Sequence, residues 1–81
     1  MNKTTVKRLE EIAETIKGLK NELDSFSEEE NRKYNNIPGN LQKSQNGRKT
    51  FQNIYLLENA VGCLNETLDN IDNILIWMKD E

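Results

Sequence analysis

Eighty-one residues carry 11 basic and 14 acidic side chains, a formal charge of −3, with no histidine, one proline and one cysteine. A chain this short makes one domain and buries only about 60 % of its unfolded surface, so a single copy has marginal stability. Without histidine, and with Cys63 alone, an intrachain disulfide, the usual zinc sites and imidazole acid–base chemistry are excluded, which leaves oligomerisation or a larger partner as the stabilising supplement.

The first third reads as a helix. Leu9, Ile12, Ile16, Leu19, Leu23 and Phe26 recur at alternating steps of three and four, an apolar seam of nearly three heptads. Thr4 or Thr5 is the expected N-cap, and Glu10, Glu14, Lys17 and Lys20 supply charged partners one turn apart on other faces. Ser27 and Glu30 have capping-box spacing, but Tyr34 and Ile37 prolong the apolar face. The helix is therefore expected over about 4–35, with a kink near 25–27, and to stop where Pro38 biases Ile37 away from helical ψ.

Residues 36–47 read as a turn rich in Asn and Gly, with Ser44 as candidate N-cap of a second helix over about 48–79. That helix carries the clearest pattern in the chain, with Ile54, Leu57, Val61, Leu64, Leu68, Ile71, Leu75 and Met78 alternating by three and four over four heptads. The short connection predicts an all-α, antiparallel two-helix hairpin, in which Leu9 faces Leu75, Ile16 faces Leu68 and Leu23 faces Val61.

A second row on the later helix, Leu56, Ala60, Cys63, Thr67, Ile74 and Trp77, is displaced by about 100° from the main seam. A helix facing one neighbour needs one stripe, so this row predicts self-association, most simply a homodimeric four-helix bundle. The bland alternative is that it only broadens the face turned to the first helix. In the same reading Cys63 is a small buried hydrophobe of that row rather than a nucleophile, because no His or Lys lies near it in sequence to lower its pKa.

Charge is unevenly spread. Between residues 31 and 57 the only charged side chains are Arg32, Lys33, Lys43, Arg48 and Lys49, whereas both flanking segments are net acidic. A hairpin places this basic tip on an acidic shaft. With Tyr34 added as a stacking surface beside Phe51, the six residues Arg32, Lys33, Tyr34, Lys43, Arg48 and Lys49 are the candidate contacts for a partner or a phosphate group. The competing reading makes Tyr34, Ile37, Leu41 and Phe51 a small cap on the core, with the lysines solvating it.

Catalytic chemistry finds no support. Gly18, Gly39, Gly47 and Gly62 are not spaced as a phosphate loop, and the carboxylate groups Glu28–Glu30, Asp69 with Asp72, and Asp80–Glu81 lack the Glu-x-x-His pattern of helical di-metal sites. No enzyme activity, metal or cofactor is expected. Nor does any run approach the roughly 18 apolar residues of a membrane span, and "MNKTTVKRLEE" has no apolar signal core, so a soluble, cytoplasmic protein is expected.

The run "SEEENRKYNNIPGNLQKSQNG" resembles a pattern in short, unannotated helical proteins of Gram-positive bacteria and their phages: an aromatic residue, then an N-x-P-x-N-L-Q-x-S turn. Tyr34, Asn36, Pro38, Asn40, Leu41, Gln42 and Ser44 carry the match, which extends over about residues 24–64. The resemblance implies a helical hairpin in a phage or mobile-element context and no established activity. In that context a protein without catalytic groups is expected to bind and inhibit a host protein, such as a component of a defence system, in the bacterial cytoplasm. Two other readings stand beside it: a binder of nucleic acid or a phosphorylated small molecule through the basic tip, and a purely structural assembly part.

Overall fold

The computed structural model describes residues 1–79, so Asp80 and Glu81 lie outside the described residues. Two long helices account for nearly all of them: α1 (Lys3–Asn36) and α2 (Gln45–Lys79), joined by a tip containing a 3-10 turn at Gly39–Leu41. There is no strand among the described residues.

The ends of α1 follow from local chemistry. Asn2, not Thr4 or Thr5, is the N-cap: its Oδ1 accepts the Thr5 amide at 2.8 Å, meeting one of the orphan donors of the first turn. At the far end Ile37 is extended (ψ 127°), as the following proline demands, and its amide returns to the Tyr34 carbonyl at 3.1 Å. Between them the helix runs unbroken through Ser25–Ser27.

The tip is wound from short turns. The Leu41 amide bonds the Pro38 carbonyl at 2.8 Å and the Ser44 amide bonds the Leu41 carbonyl at 3.0 Å. The Ser44 hydroxyl then accepts the Gly47 amide at 3.3 Å, so α2 begins at Gln45, ahead of the expected start near 48. Gly47 is buried, and a Cβ there would overlap the backbone carbonyl of Gln42. Only a residue without a side chain lets the first turn of α2 approach the tip so closely.

The helices pack side by side into a rod of 60 × 15 × 14 Å. Every residue of the α2 seam is covered: Ile54, Leu68, Ile71 and Leu75 are buried, and Leu57, Val61, Leu64 and Met78 are half-buried. Lys20 Nζ donates to Asn65 Oδ1 at 3.1 Å and Asn53 Nδ2 to Glu30 Oε2 at 3.4 Å, which fixes the antiparallel register. Leu9 and Ile16 accordingly pack on the cluster of Ala13, Leu68, Ile71 and Leu75 at the open end of the rod. No large side chain is fully buried, as expected of two helices without a further layer.

On α1 the sequence expectation needs correction. Leu19 and Phe26 are half exposed, at 50 % and 49 %, whereas Ala13 and Ser27 are buried. The face turned to α2 is the row Val6, Ala13, Lys20, Ser27 and Tyr34 together with Leu9, Ile16, Leu23, Glu30 and Ile37, all buried or half-buried. The expected and observed seams share Leu9, Ile16 and Leu23 and differ by one residue, about 100° of rotation, in the second row. The observed seam runs the whole length of α1, from Val6 to Ile37, and engages all of α2. The row of Ile12, Leu19 and Phe26, although more apolar, has no apolar member after Phe26, where position 33 is lysine.

That choice places polar side chains in the seam. Lys20 is half-buried and bonded to Asn65, and Glu30 accepts from both Lys33 Nζ (3.1 Å) and Asn53. The two charged groups that enter the seam, Lys20 and Glu30, both have partners, so their desolvation is offset by hydrogen bonding. The tip half of the rod is accordingly held less by apolar burial than the open half.

Candidate functional site

Heptad positions organise the surface. With Val6 and Ile54 at a and Leu9 and Leu57 at d, the row Ile12, Leu19 and Phe26 occupies g on α1. On α2, Ala60, Thr67 and Ile74 occupy g, and Leu56, Cys63 and Trp77 occupy the adjoining c. In an antiparallel pair the g rows of the two helices flank the seam on the same side, so these rows form one continuous face.

The side chains bear this out. Phe26 of α1 and Leu56 of α2 line one groove of about 380 Å³ with Glu29, Glu30, Asn53 and Leu57. Leu56 is 53 % exposed and Trp77 72 %, Cys63 and Thr67 are also exposed, and Ala60 and Ile74 are half-buried. Cys63 therefore is not buried within the single chain: its thiol lies open on this face. Three further large exposed apolar side chains of α2, Phe51, Tyr55 and Ile76, fall outside the face. Apart from the exposed Phe51 at the tip, the opposite, e side carries polar residues: Glu10, Lys17, Asp24 and Asn31 on α1 against Glu58, Asn65 and Asp72 on α2. The hairpin thus has one apolar and one polar side.

The α1 half of this face escaped the sequence reading because Ile12, Leu19 and Phe26 were assigned to the intrachain seam. The signal was present: Val6, Ala13, Tyr34 and Ile37 continue the other row beyond both ends of theirs.

The six tip residues do not act as one group. Lys43 and Arg48 join Tyr34 in a groove of about 370 Å³, lined also by Gln42, Phe51 and Gln52. Tyr34 and Phe51 rest against one another, with ring centroids 5.8 Å apart and planes inclined by 52°. They make an aromatic clasp between the helices. Lys33 pairs with Glu30 at 3.1 Å, and Arg32 and Lys49 are exposed away from this groove.

Among the described residues, no group of three or more Cys, Asp or Glu side chains is arranged to hold a metal ion. No described helix is long and apolar enough to cross a membrane. No protein-family model, curated protein or solved structure matches the chain.

Proposed function

We propose that this chain is a non-enzymatic protein-interaction module that self-associates through its apolar face into a homodimeric four-helix bundle. The observation that carries the reading is that Leu19 and Phe26, two large apolar side chains of α1, are half exposed while Lys20, Ser27 and Glu30 turn toward α2; Ile12, in the same row, still packs on the core cluster. A sequence selected for the isolated hairpin would place them the other way round, because burying a large apolar side chain stabilises by roughly 1.5–3 kcal/mol. The row Leu56, Ala60, Cys63, Thr67, Ile74 and Trp77 is the α2 share of the interface. On the resemblance of the tip to phage and mobile-element proteins, the assembled module binds and inhibits a host protein, such as a defence component, with its acidic shaft as the contacting surface.

Sedimentation velocity across a concentration series tests the self-association. The unaltered chain should sediment as a dimer at tens of micromolar. Leu56→Glu with Ile74→Glu should give a helical monomer that melts at lower temperature. A monomeric parent at that concentration overturns the reading.

A second reading draws on the groove that gathers Lys43 and Arg48 beside the Tyr34–Phe51 clasp. It makes the tip a phosphate or nucleic-acid contact. Anisotropy with mixed-sequence DNA and RNA should then show binding that weakens steeply with salt and is lost in Lys43→Gln with Arg48→Gln. A flat signal at low salt removes it.

A further inference from the structure

We infer that the apolar face is covered by a second copy of the chain lying antiparallel to the first, with the two tips at opposite ends and Leu19 of both copies on the two-fold axis. The inference rests on the self-association reading above and specifies its geometry.

The face is large enough. A rod 60 Å long and 15 Å wide presents a footprint of roughly 900 Å² on one side, against about 800 Å² per partner in an ordinary stable interface. A second hairpin stacked on this face also completes the second layer that a lone hairpin lacks.

Stacking two hairpins by a two-fold allows two arrangements. If the axis runs along the rod, α1 lies on the partner's α2 and the tips sit side by side. If it runs across the rod, α1 lies on α1, α2 on α2, and the tips point apart. Charge separates them. The tip holds five basic side chains and no acid between residues 31 and 57, so adjacent tips bring ten cations to one end of the bundle. Opposed tips separate those two clusters by most of the rod's length, many Debye lengths at physiological salt.

The row pattern fits the crosswise axis. Ile12, Leu19 and Phe26 are evenly spaced, so a reversed copy centred on Leu19 sets Ile12 against Phe26 and Leu19 against itself. The Lys20–Asn65 and Glu30–Asn53 bonds together set residue 65 across from Leu19, so the same axis sets Leu56 against Ile74 on α2. Along the α1 edge, Arg8 then comes opposite Glu29. Arg8 now pairs with Glu11 at 3.1 Å in an exposed ion pair that is easily exchanged. One contact opposes the arrangement: Glu66 approaches its own copy near the axis. It does so on the solvent edge, where the repulsion is screened.

Directed cross-linking of the full chain tests this. In a Cys63→Ser background, Leu19→Cys oxidised with diamide should run as a covalent dimer on a non-reducing gel, because only the crosswise axis brings residue 19 onto its own copy. Spin labels on Lys43→Cys in the same background should lie more than about 50 Å apart, since each tip is some 20 residues from the axis at 1.5 Å per residue. A chain that sediments as a dimer, yet whose Leu19→Cys gives no covalent dimer in that background, links to Cys63 when the native cysteine is kept, and has tip labels within about 30 Å, has the tips together and overturns the inference, given helix spacings of about 10 Å. A chain that sediments as a monomer defeats the self-association reading itself.

Discussion

Ala13→Leu is the sharpest test of how α1 is turned. Ala13 is 4 % exposed and sits among Leu68, Ile71 and Leu75, where its small side chain sets how closely the helices approach. Leucine adds three carbon atoms with no space to receive them, and overpacking of this kind costs about 1–3 kcal/mol. Alanine and leucine differ by only about 0.2 kcal/mol in helix propensity, so the packing term decides the sign. In a domain of this size each kcal/mol moves Tm by about 4–8 °C, and the expected fall is roughly 5–20 °C. Thermal unfolding followed by circular dichroism, at one fixed protein concentration, reads it directly. Were Leu19 and Phe26 turned to α2 instead, Ala13 would lie on the flank and the added leucine would leave Tm unchanged or raise it. An unchanged or raised Tm refutes the packing described above.

Lys20→Leu tests the polar seam from the other direction. Lys20 is half-buried with one hydrogen bond to Asn65, so an apolar replacement should raise stability by about 1 kcal/mol, seen as a higher urea midpoint. A lower midpoint would show that the Lys20–Asn65 bond outweighs apolar burial. The glycines should respond oppositely. Gly18 lies in open space, and Gly18→Ala should stabilise by up to about 1 kcal/mol. Gly47→Ala should destabilise despite the same propensity gain, because its Cβ meets the Gln42 carbonyl. Equal shifts of Tm in the two variants would contradict the close approach at the tip.

Much of this hairpin was legible in the chain. The α2 seam is fixed by eight apolar residues with no competing row of equal length, and all eight are covered. The stop at Pro38 and the cap at Ser44 are local chemistry acting within a few residues, and the sequence alone suffices for them. The start of α1 was less legible, because Asn2 and the threonines at 4 and 5 are all competent caps and only the observed bond to Thr5 distinguishes them.

The rotation of α1 about its own axis was decided by the tertiary structure. Its sequence offers two apolar rows one residue apart, sharing Leu9, Ile16 and Leu23, and local hydrophobicity favours the row of Ile12, Leu19 and Phe26. Helix propensity and periodicity are indifferent to which row faces inward, since both repeat at the same interval. The choice is made by contact with the whole of α2. Only the row through Val6, Ala13 and Tyr34 stays against it from the open end to the tip, and adopting it turns Leu19 and Phe26 of the other row outward.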